Sequence, residues 1–107
     1  MQVQKKVTAT GAEQVVELGF VPSKLVITNR SSLAEIVWTS ELPVANFYKQ
    51  VSAGTRTLVT SGGPLVVDGS DKTVNLNKSF GFKLPAIADI NDTDGEILDV
   101  EAIRDDI

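Results

Sequence analysis

The chain has 107 residues, 42% hydrophobic and 22% charged, which suits one core-forming domain that buries about two-thirds of its unfolded surface. It contains no Cys and no His. That excludes disulfides, thiolate metal sites and Cys nucleophiles, and it removes the commonest general base and transition-metal ligand. The net charge of −4 hides a division: residues 1–84 carry nine Lys/Arg against six Asp/Glu, whereas residues 85–107 carry eight Asp/Glu against Arg104 alone. The acidic end speaks against nucleic acid as the main partner.

The start of the chain, Met1 to Val7, has two lysines but no following apolar run, so it does not read as a signal peptide. No stretch approaches the ~20 apolar residues of a membrane span. Residues 2–9 suit an edge strand, with Lys5 and Lys6 as charges that guard an open edge. Next, Val16, Leu18 and Phe20 alternate with Glu17 and Gly19, a period of two that places apolar groups on one face. Lys24 to Thr28 is nearly continuous and β-branched, as in a buried strand, and Ala34 to Thr39 sets Ile36 and Trp38 on one face.

Residues 43–51 have another rhythm. Val44, Phe47, Tyr48 and Val51 stand at i, i+3, i+4 and i+7 between Pro43 and Gly54, so a short helix or packed loop competes there with a strand. Thr55 to Thr60 and Leu65 to Val67 follow as short strands. Phe80, Phe82 and Leu84 alternate with Gly81 and Lys83, and Leu98, Val100 and Ala102 alternate with Asp99 and Glu101. Turn chemistry separates the runs at 21–23, 29–32, 61–64 and 68–71. Asp94-Gly95 predicts a hairpin joining a strand near 85–90 to the last strand at 96–104. The pattern as a whole predicts an all-β, single-domain antiparallel β-sandwich over residues 1–107. It is jelly-roll-like, with at most one short helix near residues 43–51.

The chemistry-bearing patterns are few. With Gly95 at the sixth position of an EF-hand loop, Asp92, Asp94 and Glu101 fall at the third, fifth and twelfth, but the first is Ile90, which cannot coordinate. A surface Ca2+ site on Asp92, Asp94 and Glu96 is the weaker form of that idea; a solvated turn is the plainer one. Fourteen acidic residues make some carboxylate pair inevitable, so proximity alone does not indicate glycoside hydrolysis. Ser31, Ser32 and Ser61 lack a legible base, and Gly62-Gly63 lacks the Lys of a phosphate loop. The expectation is a non-enzyme without cofactor or metal. Trp38, beside Ile36, reads as core. Phe47 and Tyr48, in the irregular segment, read as candidate surface anchors, with core packing an equal alternative for Tyr48.

Gly19-Phe20-Val21-Pro22, then Leu25 to Asn29 and Trp38, then Phe80 to Leu84, Ala88 to Asn91 and Asp94-Gly95-Glu96 form a scatter of small matches over residues 19–104. It resembles short structural proteins of bacteriophage virions, among them capsid decoration or cement proteins. The resemblance implies a homo-oligomer, a trimer in preference, held on the outer capsid surface. It would be made in the bacterial cytoplasm and would clamp neighbouring major capsid protein subunits. The termini, residues 1–9 and 101–107, would then be extended gripping arms, and Lys5, Lys6, Phe47, Tyr48, Asp105 and Asp106 interface candidates. The alternative is a tail-fibre tip or other receptor- or carbohydrate-binding sandwich, with Tyr48 as its obvious tool. A carboxylate hydrolase built on 89–101 is the third reading.

Overall fold

In the computed structural model the described residues are 2–67 and 80–104. The turn expected at 68–71 and the candidates Asp105 and Asp106 lie outside them. The described chain forms nine strands: β1 (Gln2–Thr8), β2 (Gln14–Glu17), β3 (Lys24–Asn29), β4 (Glu35–Thr39), β5 (Phe47–Gln50), β6 (Arg56–Val59), β7 (Leu65–Val67), β8 (Gly81–Leu84) and β9 (Ile97–Ile103). They assemble into two antiparallel sheets. One has six strands in the order β1-β9-β3-β4-β5-β6, and the other three in the order β2-β8-β7.

The alternation seen in the sequence sets which face of each strand turns inward. Leu25 and Ile27 of β3, Ile36 and Trp38 of β4, and Leu98, Val100 and Ala102 of β9 all lie on the inner face of the larger sheet. Val16, Phe82 and Leu84 face them from the smaller sheet, and one buried apolar cluster spans both. Six strands are wider than three. Phe20, Ile87 and Ile90, all buried and all outside the strands, join the same cluster.

The all-β sandwich expected from the sequence is therefore observed. Its connectivity includes a four-strand meander, β3 to β6. The strand order does not establish a jelly roll, which requires two Greek keys. Among the described residues no helix forms at 43–51. Asn46 N–H donates to Pro43 C=O, Ala45 adopts φ 64°, and β5 then pairs with β4 on one side and β6 on the other. The four helically spaced residues supplied too little signal to outweigh two ladders of backbone hydrogen bonds. Residues 85–90 are likewise not a strand. Gly95 has φ 93°, but Asp94 is not among the positive-φ residues, so the turn is not type I′ and does not close a hairpin. Gly95 N–H instead donates to Ala9 C=O, and the chain enters β9 between β1 and β3.

Of the segments expected as extended arms, residues 2–8 and 101–103 are paired in the larger sheet, and residues 1 and 105–107 lie outside the described residues. Gln2–Thr8 pairs residue for residue with Ile103–Ile97, and so both lie within the sheet. The edge-strand expectation for residues 2–9 holds, since β1 ends the larger sheet. Within the smaller sheet two strands approach closely at one glycine. A Cβ on Gly81 would overlap the Val16 carbonyl oxygen, so only glycine allows β2 and β8 to pair at that point.

Candidate binding surfaces

Three regions of the sandwich differ in chemistry.

The first is the outer face of the six-stranded sheet. Register places Gln4, Glu101, Val26, Val37, Tyr48 and Leu58 in one cross-strand row, and Lys6, Asp99, Thr28, Glu35, Gln50 and Arg56 in the next. The half of the face over β1, β9 and β3 is polar and forms a shallow cleft of about 340 Å3, with Gln4, Lys6, Thr28, Asp99 and Glu101 in its wall. Its carboxylates are already engaged. Arg30 grips Asp99 with two hydrogen bonds of 2.8 Å, and Gln2 Nε2 donates to Glu101 at 3.0 Å. Over β4 to β6 the first row turns apolar. There Tyr48 is half-buried and carries the Arg56 guanidinium 5.0 Å above its ring.

The Asp99 carboxyl is held below the usual carboxylate range, first by the hydrogen bonds from Arg30 and then by the charges of Arg30 and Lys6; desolvation opposes them. A depressed folded-state value means that ionised Asp99 favours the folded form above the unfolded value of ~3.9, and that this contribution vanishes as pH falls through the folded value. Both partners are on the surface, so the effect on global stability is small. The local prediction is sharper. In a carboxyl-resolved NMR titration Asp99 ionises below ~3.9, and Arg30→Ala moves its midpoint upward. An unchanged midpoint in Arg30→Ala would contradict the pairing.

The second region is an apolar groove of about 270 Å3 at the end of the sandwich where β3 begins and β4 finishes. Pro22, Trp38, Leu42, Val44, Leu65 and Val66 line it. Val44 is 82% exposed and Val66 is also open to solvent, so this end presents apolar surface.

The third region, at the opposite end of β3 and β4, is polar but internally consumed. Asn29 and Asn91 are fully buried. Asn91 Oδ1 accepts from Thr10 N–H at 3.1 Å and Gln14 Nε2 at 3.0 Å, while its Nδ2 donates to the carbonyls of Ala12 at 2.8 Å and Pro85 at 3.3 Å. Asn29 Oδ1 accepts from the N–H groups of Ser31 and Ser32, and its Nδ2 donates to Ile90 C=O and Glu96 Oε1. Ser32 Oγ donates to Asp89 C=O. Two amides thus sew loops 9–13, 29–34 and 85–96 together.

The sequence-derived candidates now have places. Lys5 lies on the inner-facing side of β1 beside Val100, and its ammonium reaches across to donate to Glu17 C=O at 2.9 Å, joining the two sheets at that edge. Lys6 lies on the outer face opposite Asp99. Phe47, expected as a surface anchor, is 2% exposed and packs in the core, because strand alternation turns it inward and Tyr48 outward. Tyr48 remains available on the outer face. Of Asp92, Asp94 and Glu96, only Glu96 is tied into the loop brace, through Asn29. Among the described residues no group of three or more carboxylates is placed to hold a metal ion. No described helix is long and apolar enough to cross a membrane.

The groove is not legible in the sequence, because its lining comes from three separate stretches, 21–22, 38–45 and 64–66. The sequence reading also passed over Asn29 and Asn91 as ordinary loop residues.

No protein-family model, no curated protein and no solved structure matches the chain.

Proposed function

We propose that this chain is a non-catalytic binding module of the capsid-decoration type, seated on the outer surface of a phage capsid where it bridges neighbouring major capsid protein subunits. The observation that carries the reading is the disposition of the surface. One end is closed by the Asn29 and Asn91 braces, while exposed apolar side chains collect in the Val44–Val66 groove and along the Tyr48–Leu58 row. A protein that acts through broad contact needs rigid surface of this kind and no deep polar pocket. The phage-like segments support the same role, although two of them, 19–29 and 88–96, act in this fold as core and brace.

Quantitative mass spectrometry of purified virions tests the proposal. The expected result is a copy number comparable with that of the capsid subunits, and loss of the protein from particles when Val44 is replaced by Lys. A few copies per particle would overturn it in favour of a tail position.

The polar cleft over β1, β9 and β3 favours a second reading, a receptor- or carbohydrate-binding tip. Its amide, hydroxyl and carboxylate groups suit a polyhydroxylated ligand. It lacks a stacking ring, since the Tyr48 ring lies beyond β3 and β4 from the cleft. A glycan array that registers binding, abolished by Thr28→Val, would support this reading over the first.

A further inference from the structure

We infer that β6 is a self-association edge: two copies of this chain pair β6 to β6, antiparallel, about a two-fold axis at Leu58, and so join their six-stranded sheets into one. This goes beyond the proposed function and holds whether or not the chain sits on a capsid.

An open edge offers unpaired N–H and C=O groups to any other strand, and proteins blunt such edges with charge, proline or bulges. The β1 edge carries Lys5, a charge on the inner-facing side, and Lys6. β2 is flanked by β1 side-chain and backbone groups, since Lys5 donates to Glu17 C=O and Gln14 Nε2 donates to Thr8 C=O. β6 carries one charge, Arg56, which lies over the Tyr48 ring of its own sheet, and it has no inward-facing charge, proline or bulge. Its sequence, Arg56-Thr57-Leu58-Val59, has no proline, its register against β5 is unbroken, and no described strand pairs with its outer side. Leu58 is 46% exposed there.

Register then selects the occupant. Residues opposite one another in an antiparallel pair share a face of the sheet, so a two-fold axis normal to the sheet places one residue opposite its own copy. With Leu58 on the axis, Arg56 faces Thr60 and Thr57 faces Val59. No like charges meet, and the outer row Val26-Val37-Tyr48-Leu58 continues into its symmetry copy without a polar break. With Arg56 on the axis two guanidinium groups would face each other. With Thr57 on the axis Arg56 would interrupt the apolar row. With Val59 on the axis Leu58 would face Thr60 and the apolar row would again be broken, so the Leu58 register is the one that keeps it continuous.

The net negative charge does not prevent this. Asp99 and Glu101 lie on β9, four strands from β6, a separation of roughly 19 Å at ~4.8 Å per strand and well beyond the ~8 Å screening length. The contact is also small. Four residues a side bury less than the ~1,200–2,000 Å2 of a standard interface, so association is weak and concentration-dependent.

Sedimentation velocity of the full chain, from micromolar to millimolar concentration, tests the inference. The expected result is a mass rising from one copy towards two. Leu58→Lys, at an exposed position that leaves the core intact, weakens this about tenfold or more by placing two ammonium groups on the axis. Val44→Lys, in the groove at the end of the sandwich, leaves the dimer unchanged. Near-UV circular dichroism of Trp38 verifies the fold of both variants. The inference is overturned by a single-copy mass throughout, by a three-copy mass, by a dimer indifferent to Leu58→Lys, or by a dimer that Val44→Lys alone abolishes.

Discussion

Asn91→Ala lowers the stability of the domain by about 3 kcal/mol, because one truncation orphans several buried groups at once. The side chain is fully buried and serves backbone groups from two loops: Thr10 N–H, Ala12 C=O and Pro85 C=O. Each buried group left unpaired costs ~1–3 kcal/mol, and water entering the vacated space recovers part of that. Against a typical total of ~5–15 kcal/mol the remainder is a large fraction. At ~4 °C per kcal/mol the melting temperature falls on the order of 10 °C. Asn91→Asp does no better: it keeps the acceptor for Thr10 and Gln14 but turns a carboxylate oxygen toward the carbonyls that Nδ2 now serves. Asp92→Ala, one residue on and exposed, is the control and leaves the melting temperature near that of the parent. If Asn91→Ala melted with the control, the brace would have no energetic role.

The second large effect is at Phe82. Phe82→Ala costs about 3–5 kcal/mol in urea unfolding. Phe82 is fully buried on the central strand of the small sheet, with Val16 opposite on one side and Val66 on the other. A three-stranded sheet has little other apolar surface with which to hold the larger one. Truncation leaves a cavity that Gly81 limits, because β2 and β8 are already in closest approach beside it and cannot collapse further. Phe82→Leu keeps most of the apolar volume and costs less. The measurement is the urea midpoint at unchanged slope, followed by Trp38 fluorescence and far-UV circular dichroism together. A Phe82→Ala midpoint equal to that of the parent would show that the small sheet does not depend on this ring.

Period-two alternation was enough to place most strands. Leu25 and Ile27, Ile36 and Trp38, and Leu98, Val100 and Ala102 all turn inward as their spacing requires. Lys5 and Lys6 marked an edge before any pairing was known. The candidate surfaces were less legible. Phe47 and Tyr48 looked equivalent as neighbours, yet one is core and the other surface, and only the ladders of β5 against β4 and β6 separate them. The acidic run 89–96 suggested a cation. In the folded chain Asn29 and Asn91, which read as unremarkable loop residues, organise that end instead.

Composition and alternation by themselves determined the fold class, the inward faces of the long strands, and the exclusion of Cys and His chemistry. These are local properties, written in residue type and in the alternating direction of side chains along a strand. Tertiary structure alone decided that residues 85–90 leave the sheet and that β9 runs between β1 and β3. It also decided that residues 2–8 and 97–103 pair with each other, and that Leu58 ends an apolar row at the last described strand of the larger sheet. Those facts depend on which distant segments pair, with backbone hydrogen bonds and cross-strand packing arbitrating among registers that no local pattern distinguishes.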